Sequence, residues 1–169
     1  MKMEDRVKIP RYHMHNRPDR EIHDQTVIDE ILMNGKFCVI SMCTDNEPYI
    51  VTLSYGYDSV RNSLFFHCAK EGLKLDFISQ NPRVCATIIE DKGYAVNECA
   101  HNYKTAVFWG TMCVVTEPDE KKHGMEILIS HLEKEQQVRM DKLRKSEEFY
   151  SIMEVLRLDI GQIHCKEGR

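Results

Sequence analysis

The hydrophobic rhythm of the chain changes at residue 36. Before that point Val27, Ile28, Ile31 and Leu32 recur at helical spacing behind Asp24, with Gly35 after them, which predicts a capped helix over 25–33. Beyond it, apolar and polar residues alternate over 37–43, 48–57 and 63–68, predicting three strands separated by the turn residues 44–47 and 58–62. Three such consecutive strands predict a meander. In the second strand Tyr49, Val51, Leu53, Tyr55 and Tyr57 share one face, while Ile50, Thr52, Ser54 and Gly56 share the other. This second face is small and partly polar, and suits a flat ligand.

A short helix follows Gly72, carrying Leu73, Leu75, Phe77 and Ile78, and Pro82 stops it by forcing Asn81 into an extended conformation. Residues 83–90 alternate as a fourth strand, 91–103 read as irregular, and 103–116 form a long fifth strand. Pro118 opens a helix whose stripe is Met125, Leu128, Ile129 and Leu132, with acidic residues at its positive end. The charged run 133–145 reads as a solvated helix face or loop. Ser146 is placed to cap one more short helix with Phe149, Ile152 and Met153, and 155–163 alternate as a sixth strand. Six strands without a βαβ rhythm predict an antiparallel barrel of the α+β class, mainly β, with short flanking helices. The domain is expected over 24–169, preceded by a polar arm over 1–23 that needs a partner surface to become ordered.

A net charge of -4 with no basic block argues against nucleic acid as a partner. Every apolar run is far below the ~20 residues that span a bilayer. The N-terminus also lacks the apolar stretch of a secretory signal, so no membrane association and a cytoplasmic location are expected. Seven cysteines, an odd number with no C-x-x-C pair, support neither a disulfide framework nor a zinc knuckle. Most of them read as small buried core residues. His13 and His15 have no third ligand beside them in sequence, and no metal site is expected.

Chemistry concentrates where the third strand turns into a helix. Lys70, Gly72 and Lys74 surround a helix start whose first amides lack carbonyl partners and carry partial positive charge, and His67 ends the strand before them. A phosphate monoester fits that combination, and solvent-facing cap lysines fit it equally well. Thr52 and Ser54, on a strand expected to pair with the third, add hydroxyls that suit the polar edge of a ring system, or simply water. Together the two features describe a pocket for an aromatic phosphate such as flavin mononucleotide.

The runs PYIVTLSYGYD at 48–58, LFFHCAKEGLKLDFISQNPRVC at 64–85 and YKTAVFWGTMCVV at 103–115 resemble the pyridoxamine 5'-phosphate oxidase-like FMN-binding split-barrel family, and within it the nitroimidazole-resistance branch. The resemblance runs over about 24–132, with the H-x-A-x-x-G-x-K-L-D-x-I-x-x-N-P-R-V pattern as its most specific part. It implies a split β-barrel and a homodimer with FMN at each subunit interface. It further implies that Tyr49, Ile50, Val51, Thr52, Leu53 and Ser54 line the ring system and ribityl chain, largely through their backbone. His67 and Cys68 would meet the flavin from the third strand, Lys74 with Lys70 would take the phosphate, and Thr105 would reach the cofactor from the fifth strand. Leu73 stands where the family often has a second basic residue. The last strand lacks the substrate contacts of the oxidases, so pyridoxamine phosphate oxidation is not implied. His67 is the candidate catalytic group, its pKa being close to neutral, and holding the phosphate loop is its structural alternative. The expected activity is FMN-dependent reduction of a small planar substrate; the alternative is a non-catalytic module that binds, stores or senses flavin.

Overall fold

The computed structural model describes residues 17–134, 150 and 152–168, and the elements with described bounds are mainly β with three α-helices. The first strand, β1 (Glu21–Ile22), precedes helix α1 (Gln25–Asn34). Then come β2 (Phe37–Thr44), β3 (Glu47–Ser54), β4 (Gly56–Asp58) and β5 (Ser63–Ala69), helix α2 (Leu73–Gln80), strands β6 (Arg83–Ala95) and β7 (Ala100–Val114), helix α3 (Pro118–Leu132) and β8 (Met153–Gly168). Among the described residues, eight strands rather than six make one sheet in the order β3-β2-β6-β7-β8-β5-β4, with β1 added beside β8.

Two departures from the sequence pattern account for the extra strands. The predicted second strand is broken at Tyr55: β3 pairs only with β2, and β4 pairs only with β5. The two ends of the sheet are therefore halves of one chain segment, joined covalently through Tyr55 but not hydrogen-bonded to each other, so the barrel stays open and the meander does not form. Tyr55 is fully buried and donates to Leu32 O (2.7 Å), tying this break to the end of α1. The other added strand comes from the predicted arm, where Glu21 and Ile22 pair with Lys166 and Cys165 of β8. For this part of the arm, the ordering surface is the chain's own sheet.

The expected irregular stretch 91–103 is mostly strand. Strands β6 and β7 continue as a hairpin past a register shift between Asp91 and Tyr94, where polar side chains on both faces erase the alternation. Strand β8 also runs beyond 163, to Gly168. Ser146 and Phe149, expected in a last helix, lie outside the described residues, as do His13, His15 and 135–145. Met153, expected in that helix, instead begins β8, and Ile152 is an exposed residue just before it.

One main core fills the interior of the rolled sheet. Ile28, Ile31 and Leu32 of α1 pack there with Ile40, Phe66, Ile88, Phe108 and Leu158, and Phe77 and Ile78 of α2 join them. A smaller cluster lies behind β5 and β8, where Met125, Leu128 and Ile129 of α3 cover Phe65 and Val155. Asp24 caps α1 by accepting from Thr26 N (2.9 Å), as its position predicts. Gly35 is needed for space rather than for its backbone angle: a Cβ there would stand 2.4 Å from Ile88 Cγ2 and 2.5 Å from Tyr55 Oη. Among the described residues no helix is long and apolar enough to cross a membrane.

Candidate functional site

Strand β5 ends at Ala69, and Lys70 and Glu71 are exposed. Gly72 then takes φ +143°, a region that a side chain disfavours, and α2 starts at Leu73 with no side-chain cap. The first hydrogen bond of the turn runs from Leu75 N to Gly72 O (2.8 Å), so the amides of Leu73 and Lys74 precede it, as at any helix start. The Lys74 side chain folds back over this turn: its Nζ lies 3.6 Å from where a Gly72 Cβ would stand. A glycine, bare amides and an ammonium thus share one corner, which is the arrangement an anion requires.

Cys68 feels this corner. Burial pushes its thiol up, while the Lys74 charge pulls it down and Glu154, paired across the strands with Cys68, pushes it up again. The net shift is upward, and the thiol stays protonated. Glu154 is itself paired with Lys121 (2.9 Å). His67 and Cys68, both expected at the flavin, are on opposite faces of β5. Cys68 packs on the main core like Phe66, whereas His67 is exposed on the side of Phe65 and α3. Their side chains cannot both meet one face of a planar ligand.

Strand β3 divides in the same way. Tyr49, Val51 and Leu53 turn inward against the main core, and the Tyr49 ring sits 5.1 Å from that of Phe77, linking β3 to α2. Ile50, Thr52 and Ser54 form the outward set, opposite Ser41, Val39 and Phe37 of β2. From there a cross-strand row runs Thr52, Val39, Thr87, Val107, His164 over five strands. Large apolar side chains stand out of this outer face: Phe37 is 59% exposed, Ile50 64% and Ile89 55%.

Two adjoining clefts share Ile89 and Asp91 on that face. One, of about 440 Å³, is walled by Lys36, Phe37, Val39, Thr87 and Glu90; the other, of about 350 Å³, by His101, Tyr103, Thr105 and Lys166. Thr105 lies in the second cleft, built by β6, β7 and β8, whereas the Lys70–Lys74 corner is built by β5 and α2. The sequence reading missed Phe37, Val39, Ile89 and Lys166. For Phe37, Val39 and Ile89 a signal was available, apolar residues at outward positions of strands whose inward positions already supply the core; Lys166 lies past residue 163, where the last strand was expected to end.

The sequence as a whole adds what one site cannot. Residues 24–167 match the family model described as pyridoxamine 5'-phosphate oxidase. The chain belongs to the pyridoxamine 5'-phosphate oxidase family. No curated protein matches it. Several solved structures share the fold. A candidate 5-nitroimidazole antibiotic resistance protein from Bacteroides thetaiotaomicron superposes with a TM-score of 0.74 at 22% identity, over 88% of this chain and 86% of that one. A flavocytochrome from Azotobacter vinelandii gives 0.77 at 14% identity, over 94% and 74%. An FAD-binding protein from Mesorhizobium loti gives 0.64 at 18% identity, over 88% and 96%. At these identities the likeness is one of fold, so within the pyridoxamine 5'-phosphate oxidase family the ligand and reaction rest on this chain's own residues.

Proposed function

We propose that this chain is a cytoplasmic FMN-binding oxidoreductase that works as a homodimer and delivers electrons to a small planar acceptor such as a nitroaromatic. Family membership and the fold shared with a candidate nitroimidazole-resistance protein and with flavin proteins support the reading. The observation that carries it is the corner at Gly72, where Lys74 Nζ closes over a helix start whose side-chain-free residue leaves room for a phosphate.

In this reading Lys74, Lys70 and the amides of Leu73 and Lys74 hold the phosphate. Ile50, Thr52 and Ser54 offer the ring system a flat outer face, while Tyr49, Val51 and Leu53, turned inward, contribute backbone groups, as does Cys68. A bound flavin supplies the electron-transfer chemistry, and the protein supplies orientation, local charge and exclusion of water. His67, exposed at the end of β5, is positioned to hold or give a proton on the substrate side. The outer face bearing Phe37, Ile50 and Ile89 is the surface for a second copy of the chain, since a contiguous exposed apolar area marks an interaction site.

Titration of Lys74→Ala with FMN and with riboflavin tests the corner. Loss of a charge-assisted bond of about 1.5–3 kcal/mol weakens FMN by roughly 10- to 150-fold. Riboflavin, lacking the phosphate, binds wild type and variant alike. An unchanged preference for FMN over riboflavin would place the phosphate elsewhere. Mixing the reduced holoprotein with nitroaromatics and quinones then separates turnover from storage: an oxidation no faster than with oxygen alone marks a carrier.

A further inference from the structure

The anion corner at Gly72 has a carboxylate beside it. Strand β5 ends at Ala69, opposite Met153, and the next residue of β8, Glu154, stands directly opposite Cys68. Lys74 and Glu154 both act on the Cys68 thiol, in opposite directions, so the ammonium and the carboxylate are each close enough to be felt at one sulfur. The other acids near the turn, Glu71 and Asp76, are exposed and screened by water. The Glu154 side chain is only 21% exposed, and its field is screened far less. Left to itself, a carboxylate so placed would draw Lys74 Nζ or repel an incoming phosphate.

Helix α3 supplies the counter-charge. Lys121 Nζ donates to Glu154 Oε2 (2.9 Å), and its side chain is as covered as its partner's. The residue before it fixes its place: Glu120 pairs with Arg157 of β8 and with Arg61 (3.5 Å), which pins the start of α3 to β8 and carries Lys121 to Glu154. Seating of the helix rests on Met125, Leu128 and Ile129, so its packing does not depend on the Lys121–Glu154 pair. Removing one member of a covered pair leaves a charge that seeks another partner. We propose that Lys121 is a positioning residue of the anion corner: by holding Glu154 it leaves the Lys74 ammonium available to a phosphate. The inference rests on the flavin reading and deepens it, because a helix that contributes nothing to the corner itself then sets the selectivity for phosphorylated over unphosphorylated flavin.

Fluorescence titration with FMN and with riboflavin, read as the ratio of the two affinities, tests the role. In Lys121→Met the ratio falls by about fivefold or more, the effect of one uncompensated charge near a phosphate, while riboflavin binds as in wild type. Lys121→Arg keeps the wild-type ratio. The double variant Lys121→Met/Glu154→Gln regains it although the ion pair is gone, a rescue that a purely structural role would not give. Glu154→Gln alone raises the ratio by about twofold or more, since the Lys121 charge is then added to the corner. A wild-type ratio in Lys121→Met, or a double variant no better than the single one, would overturn the inference. Should Lys121→Met fail to fold, Glu154→Gln decides, and a ratio that does not rise overturns it. Lys74→Ala separates this inference from the reading beneath it. If that variant keeps the wild-type ratio, the phosphate corner itself is wrong and the role of Lys121 falls with it; if Lys74→Ala loses the ratio while Lys121→Met keeps it, only the role of Lys121 is lost.

Discussion

Gly56→Ala is the substitution that most directly tests how α3 is held to the sheet. An added Cβ would stand 2.6 Å from both Cα and N of Leu128 and 2.7 Å from the carbonyl carbon of Ile127. Carbon atoms prefer separations of about 3.5–4.0 Å, so the methyl needs roughly 1 Å more than is there. No rotamer can supply it, because the obstructing atoms are helix backbone. Nor is the cost one of backbone strain, since Gly56 is not among the residues with positive φ. Helix α3 must withdraw, and a gap of about 1 Å forfeits roughly a quarter to a half of each dispersion contact across it. Met125, Leu128 and Ile129 are the side chains buried there. At about 2 kcal/mol of burial each, the loss comes to about 1.5–3 kcal/mol, within the usual cost of overpacking. Urea unfolding followed by circular dichroism should show the midpoint falling by about 1 M or more at an unchanged m-value. A change below about 0.5 kcal/mol, the range of an innocuous surface substitution, would mean that α3 is not seated against β4 as described.

Two further outcomes follow from other parts of the molecule. Asp58 is only 4% exposed; burial by itself would raise its pKa, but His123 (2.7 Å) and the amides of Arg61 and Val60 outweigh it and hold the carboxyl below the usual range. Its contribution is present above the unfolded-state pKa near ~3.9 and is lost as pH falls through the lower folded value. Asp58→Asn should therefore cost roughly 2 kcal/mol at neutral pH, with the gap to wild type closing below about pH 4; a gap that stays constant down to acid unfolding would rule out this role. With the proposed homodimer formed through the outer face that bears Phe37, Phe37→Asp should shift the protein to monomer in sedimentation equilibrium with its circular dichroism intact, and a wild-type protein that is monomeric at high micromolar concentration would refute that proposal.

Where the inward and outward positions of a strand differ in polarity, the sequence was readable. Helix α1 and its Asp24 cap, the stop at Asn81 and Pro82, and Met125, Leu128 and Ile129 of the α3 stripe appear where the pattern put them, whereas Leu132, expected in that stripe, is exposed in the last turn of the helix. Pairing was harder, because Tyr55 continues the alternation of β3 without interruption while its hydroxyl is drawn to Leu32, and only that long-range bond reveals the break. The same limit applied to the hairpin at 91–101, whose polar residues on both faces carry no period. At the candidate site, Gly72 and Lys74 were legible because a positive φ and a helix start leave local marks. The cleft at Thr105 was not, since Ile89, Thr105 and Lys166 come from three strands and meet only through register.

Strand β8 pairs with β7 on one side and β5 on the other, and with β1 at its far end. During translation, then, every earlier strand emerges from the ribosome before the piece that bridges the two halves exists. A nascent chain halted before residue 153 would carry two unjoined half-sheets with their edges bare, and such edges are templates for aggregation. Closure of the sheet therefore waits on β8, and a nonsense codon upstream of it removes the strand that joins the two halves rather than trimming an edge.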